Sequence, residues 1–156
     1  MRNLTPKAVS IVLVLLFIVK IGNSQTINSV KSTLIGTLQC DYQKINNDNG
    51  EVKYLVQLIF KNQQYIYKQE SDTLVFTTTS SFQQFIKDVK EGLSIIDQED
   101  KSISIERPNY ILSKDNIYMD HKLLSLSNPQ LTITTSFNAY IGKELLTWLS
   151  SVDFGK

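Results

Sequence analysis

The chain has 156 residues, 42% of them hydrophobic, and its 16 basic and 15 acidic side chains give a formal charge of +1. The cations are scattered along the chain with no basic stripe, which excludes the clustered lysines and arginines that a nucleic-acid surface needs. One cysteine excludes an intrachain disulfide, so packing alone must stabilise the fold.

Residues 1–24 read as an address. Arg2 and Lys7 precede an apolar run from Ala8 to Val19, and Gly22 and Ser24 are small residues spaced like a cleavage site, which together make a secretory signal peptide. A membrane anchor is the weaker reading, because the run of 12 residues ends at Lys20, short of the ~20 that a spanning helix needs. Cleavage after Ser24 leaves 132 residues starting at Gln25, with 13 basic and 15 acidic side chains and a formal charge of −2. The expectation is a secreted or periplasmic protein with no stable membrane insertion after cleavage.

Residues 25–31 read as a short polar leader, and 32–154 as a single globular α+β domain. Thr33 to Tyr42 alternates as a first strand, with Leu34, Gly36, Leu38, Cys40 and Tyr42 on one face, which buries Cys40 as an inert thiol. The cluster from Asn46 to Gly50 is a hairpin turn. Val52 to Lys61 follows as the central strand, and Tyr65 to Lys68 and Leu74 to Thr78 complete a meander.

The period then changes. Phe82, Phe85, Ile86, Val89, Leu93 and Ile96 share one stripe of a helix, opened by a capping box of Ser80 and Gln83. Gly92 at the edge of that stripe costs up to ~1 kcal/mol relative to alanine, and a close backbone approach to the sheet would account for it. Asp97 to Lys101 is a charged connector. Short strands return at Ser102 to Glu106, Tyr110 to Ser113, Ile117 to Met119, Leu123 to Leu126 and Leu131 to Thr134, broken at Arg107 with Pro108, Lys114 with Asp115, and Asn128 with Pro129. A second helix carries Phe137, Tyr140, Ile141, Leu145, Trp148, Leu149 and Val152 on one broad stripe, capped by Thr135 or Ser136, which makes Trp148 a core anchor.

These elements predict a mainly antiparallel sheet with two amphipathic helices packed on one face, a two-layer sandwich. A ββββα/βββα pseudo-repeat is a further candidate, since Ser81, Phe82, Phe85 and Ile86 match Ser136, Phe137, Tyr140 and Ile141 at a separation of 55 residues. Any amphipathic helix behind a polar cap would match about as well, so chance similarity is favoured over duplication.

Chemistry is harder to find. His121, the only histidine, cannot assemble a zinc site with one cysteine, nor does the sequence bring it to Cys40 as a catalytic base; it reads as a solvated turn residue. There is no G-x-S-x-G elbow, no serine three residues before a lysine, and no glycine-rich phosphate cradle. Reading Asn46 to Glu51 as a calcium loop places Ile45 and Val56 where oxygen ligands are required, and the motif fails. Asp97, Glu99 and Asp100 are weak candidates for a cation or a carboxylate-based catalytic site, against the favoured reading of a solvated connector. Tyr65 and Tyr67, with Tyr54, Phe60, Tyr110 and Tyr118, are weak candidates for a ligand-binding aromatic row, against the favoured reading of sheet packing. No cofactor is expected. The expected function is a small exported domain with a non-catalytic binding or interaction role toward a protein or glycan, in the periplasm or at the cell surface; the alternatives are an exported hydrolase and a subunit of a surface assembly.

Overall fold

The computed structural model describes residues 26–47, 50–63, 70–99, 101–115, 122–130 and 132–154. Four strands, β1 (Thr26–Ile35), β2 (Leu38–Asn46), β3 (Val52–Lys61) and β4 (Ser71–Phe76), pair antiparallel in the order β1-β2-β3-β4. The long strand expected over Thr33 to Tyr42 is divided at Gly36, whose φ of 57° lets the chain reverse in two residues so that Ile35 faces Leu38. Residues 26–31, read as a polar leader, accordingly form much of β1; pairing with β2 satisfies their backbone where composition alone suggested no structure. The turn also inverts the expected facing of Leu34. With Ile35 opposite Leu38, Leu34 stands on the opposite face from Cys40 and is 72% exposed.

The first helix, α1 (Thr79–Ile95), buries Phe82, Phe85, Ile86 and Val89 as the sequence periodicity requires, while Leu93 is only partly buried and Ile96 is buried just past the end of the helix. Its cap lies two residues earlier than the expected Ser80, because the extended Thr78 turns its hydroxyl to the amide of Ser81. Gly92 makes the close approach its position called for: a Cβ there would stand 2.8 Å from Leu124 Cδ1.

A second antiparallel sheet follows, β5 (Ser104–Arg107), β6 (Tyr110–Asp115), β7 (Leu123–Ser127) and β8 (Thr134–Phe137), again in sequential order. The break expected at Lys114 with Asp115 is absent, since both residues pair with β7. The strand expected at Leu131 to Thr134 lies further on, because Asn128 accepts from the amides of Thr132 and Ile133 and closes a wider turn. The last helix, α2 (Ala139–Ser151), is capped by Asn138, whose side chain accepts from the amide of Ile141. Thr135, Ser136 and Phe137 are strand residues, so the 55-residue match does not pair equivalent positions.

The chain is therefore α+β, with two four-stranded antiparallel sheets and two helices among the described residues. The helices touch each other and both sheets, α1 against β4 and β6, α2 against β1, β7 and β8. Their shared core holds an aromatic cluster: Phe85 meets Tyr110 edge-on at 5.0 Å, Phe76 contacts Phe85 at 5.0 Å, and Phe82 stacks on Phe154 at 4.9 Å. Rings packed this way add to the ~1.5–3 kcal/mol that each buried large side chain contributes. The sheets are stitched by Asn62 and Gln63, just past β3. Asn62 donates to the Thr132 carbonyl at 3.0 Å, while Gln63 donates its amide to the Thr134 carbonyl and accepts from the Ser136 amide. No helix among the described residues is long and apolar enough to cross a membrane.

Candidate functional site

The ionisable groups with shifted affinities lie mostly inside, and the geometry assigns them structural work. Asp88, on α1, is fully buried and accepts four hydrogen bonds: on Oδ1 from Gln84 at 2.7 Å and Arg107 Nη2 at 2.9 Å, on Oδ2 from Arg107 Nε at 2.7 Å and Tyr110 at 2.7 Å. Burial alone would raise this carboxyl, but Arg107, Tyr110 and Gln84 outweigh it and hold the group below its ordinary value. Burial, then the adjacent carboxylate, pushes the Tyr110 hydroxyl up. Two oxygens offer about four acceptor sites, all of which are filled here. A general acid or base needs a free position and a pKa near the working pH; Asp88 has neither.

Cys40 lies in the core of the first sheet, and burial, with Asp41 adding to it, pushes its thiol up to about 12. A thiol so placed is no nucleophile at neutral pH. Lys114 is buried on β6 opposite Leu124, with its ammonium donating to the carbonyls of Gln98 and Lys101 in the connector after α1. It organises that loop as a cation satisfies the free carbonyls beyond a helix end.

The acidic candidates fall on this same connector. Glu99 has its side chain 89% exposed and 3.6 Å from Lys122 Nζ, and the Asp97 carbonyl accepts from the same ammonium at 2.5 Å. Asp100 lies outside the described residues. Among the described residues no group of three His, Cys, Asp or Glu side chains could hold a metal ion. Of the aromatic candidates, Tyr65, Tyr67 and Tyr118 lie outside the described residues, as does His121. The others face inward. Phe60 is core, Tyr110 is spent on Asp88, and Tyr54 stacks with Tyr42 at 6.4 Å and lies against Phe154 at 5.7 Å. The Tyr42 hydroxyl donates to the Asp153 carbonyl, fastening the C-terminal segment across β2.

What the surface offers lies elsewhere. On α2, Tyr140, Glu144, Thr147, Trp148 and Ser151 recur at helical spacing along the side opposite buried Gly142, Leu145 and Leu149. Together with Thr33, Leu34 and Ile35 of β1 they line an open groove of about 600 Å³. Tyr140 is 67% exposed and Leu34 72%, the two most exposed large hydrophobic side chains among the described residues, and both stand in this groove. Trp148, expected as a core anchor, is only partly buried there, because Leu145 and Leu149 already fill the inward face of the helix. Lys143 and Glu144 give the groove one charge of each sign, and the Glu144 carboxylate, one helical turn from Tyr140, pushes the tyrosine hydroxyl up.

The second cavity, about 300 Å³ between β4 and the turns at Pro108 and Pro129, has Asp72 as its ionisable lining group among the described residues. The Asp72 carboxylate accepts from the Thr73 amide at 2.7 Å. In the groove the Thr147 and Ser151 hydroxyls donate to helix carbonyls rather than to a base.

The chain matches no known protein family, and no curated protein is significantly similar to it. The groove was missed by sequence reasoning because two errors compounded: an unrecognised turn at Gly36 put Leu34 indoors, and a helix start placed too early merged Phe137, Tyr140 and Trp148 into one inward stripe. The Gly-Thr pair at 36–37 was the available signal, a two-residue hairpin with glycine in the first position.

Proposed function

We propose that this protein is a small exported domain with a non-catalytic interaction role, and that the groove between β1 and α2 is where it meets its partner. One observation carries the reading: the two most exposed large hydrophobic side chains among the described residues, Leu34 and Tyr140, stand in one groove, while the buried carboxylate, thiol and lysine are committed to the fold. Exposed apolar side chains gathered at one place mark interaction surfaces far more often than isolated ones do.

A protein partner fits this groove better than a glycan. The groove has two rings and several hydroxyls, but Thr147 and Ser151 donate to carbonyls of their own helix, and the exposed Leu34 that projects into it offers a sugar no hydrogen bond. Export is supported by the basic start, apolar run and small residues of positions 1–24.

Two experiments test the proposal. Mass spectrometry of the protein recovered from culture fluid or periplasm should give a chain that begins at Gln25; intact Met1 on protein held in washed membranes would refute export with cleavage. Crosslinking in the native compartment should yield adducts that disappear with Leu34→Asp and persist with Asp97→Ala and Glu99→Ala. The reverse pattern would favour the carboxylate connector as the working site.

A further inference from the structure

Signal cleavage and the start of the first strand fall almost on the same residue. Cleavage after Ser24 makes Gln25 the first residue of the exported chain, and β1 begins at Thr26, paired with Asn46 of β2. β1 is an edge strand, held by β2 alone in the order β1-β2-β3-β4. Its far end carries Thr33, Leu34 and Ile35, which line the groove. The new terminus therefore stands one residue ahead of the strand that supplies a groove wall. Chain termini are where exopeptidases begin and where local opening costs least. Each residue trimmed past Gln25 would take a pair from the β1–β2 ladder, Thr26 from Asn46 first and Ile27 from Ile45 next.

An N-terminal glutamine can close such a terminus with its own atoms. Once the bond to Ser24 is cut, the neutral α-amine of Gln25 can attack its own Cδ. The N–Cδ bond forms, the Cδ–Nε2 bond breaks, and ammonia leaves with the proton that the amine gives up. The product is a five-membered lactam, formed within one residue and without any oxidant, reductant or external group. Asparagine would have to close a four-membered ring. The lactam nitrogen is uncharged and no longer the primary amine that an aminopeptidase engages. The Thr26 amide takes no part, so the ladder of β1 is left as it is.

We propose that Gln25 of the exported chain is a modification site, closed to pyroglutamate, and that the closure shields β1 from aminopeptidase trimming. The inference rests on reading residues 1–24 as a cleaved signal peptide, and it adds what becomes of the terminus that cleavage creates. The test uses the full chain, expressed with its leader in a secreting host and recovered from culture fluid or periplasm. Its intact mass should equal that of residues 25–156 less about 17 Da, the ammonia lost on closure. Stepwise N-terminal sequencing should be blocked until a pyroglutamyl aminopeptidase removes the ring, and should then read from Thr26. Gln25→Asn keeps an amide but cannot close the ring, so this variant should carry the uncorrected mass and a free amine. In a broad-specificity aminopeptidase it should lose residues of β1 about tenfold faster than the wild type.

A chain that begins at Gln25 with a free amine overturns the proposal and leaves export standing. So does a chain cut at any other residue beyond the leader. Intact Met1 on the recovered protein refutes cleavage, and the modification falls with it. A closed wild type that is trimmed as fast as Gln25→Asn overturns the protection of β1.

Discussion

Arg107 grips Asp88 through two hydrogen bonds, Nε to Oδ2 at 2.7 Å and Nη2 to Oδ1 at 2.9 Å, and so fastens α1 to the end of β5. The carboxylate is the buried member, with its side chain 1% exposed against 38% for Arg107. Asp88→Asn keeps the shape, removes the charge, and leaves donors aimed at an amide that can accept only on one side. Breaking a buried pair from one end costs about 3 to 5 kcal/mol, and the retained amide oxygen should hold the loss near ~3 kcal/mol, read from the urea midpoint.

The same contact predicts a pH dependence. An unfolded aspartate titrates near ~3.9, and folded Asp88 titrates lower. A carboxyl with a depressed folded value contributes stability that is complete above the unfolded value and is lost as pH falls through the folded one. The gap between wild type and Asp88→Asn should therefore be full at neutral pH and narrow below about pH 4. An equal gap at both ends would mean that the carboxylate is not the source of the difference.

Two helix glycines separate propensity from packing. Glycine to alanine within a helix gains about 0.8 to 1 kcal/mol when nothing is in the way. At Gly92 the new methyl meets Leu124, which is fully buried and has nowhere to turn, so Gly92→Ala should be destabilising by about 1 to 2 kcal/mol net. At Gly142 the obstacle is Leu93, with Cδ2 at 2.5 Å, but Leu93 is only partly buried and can swing outward. Gly142→Ala should therefore lie within about 0.5 kcal/mol of wild type by thermal unfolding. Equal losses at the two sites would show Leu93 to be as confined as Leu124.

The contrast between these glycines follows how the fold could be read in advance. The stripe of α1 and the need for a close approach at Gly92 were legible, because helical periodicity over 17 residues is a strong signal and a glycine inside it demands a reason. Strand boundaries were less legible. Between Thr33 and Tyr42 apolar residues alternate straight through Gly36, and the turn that inverts Leu34 leaves the pattern almost undisturbed. Caps were ambiguous for a similar reason, since Thr77, Thr78, Thr79, Ser80 and Ser81 are all competent hydroxyls and only the backbone selects Thr78. Asp88 and Lys114 gave no warning at all. A charge on the inward face reads as noise until its partners arrive, and Arg107 is 19 residues away from Asp88 while the carbonyls that bind Lys114 belong to a connector.

Cys40 offers a direct check on the core. With its thiol buried and pushed up to about 12, the native protein should be unreactive toward a thiol reagent such as Ellman's at pH near 8, and should titrate one thiol once denatured. A raised folded value also means that, in alkali, the unfolded chain ionises first. The Cys40 contribution should lower stability as pH rises above roughly 8.5, the ordinary cysteine value, and Cys40→Ala should remove that part of the alkaline loss. Rapid labelling of the native protein would place the thiol at the surface and refute the pairing of β1 with β2 around it.

Phe85 and Trp148 should differ in what their removal costs. Phe85 is fully buried between Phe76 and Tyr110, and its truncation to alanine leaves a cavity worth about 3 to 5 kcal/mol. Trp148 borders an open groove, so Trp148→Ala gives up only part of its burial and leaves no enclosed void; about 1 to 2 kcal/mol is expected. As the only tryptophan in the chain, it also reports on the groove by its own fluorescence. Acrylamide should quench the native protein readily, since the ring borders open solvent. Quenching as weak as that of a core tryptophan would mean that the groove is closed, and with it the surface on which the interaction reading depends.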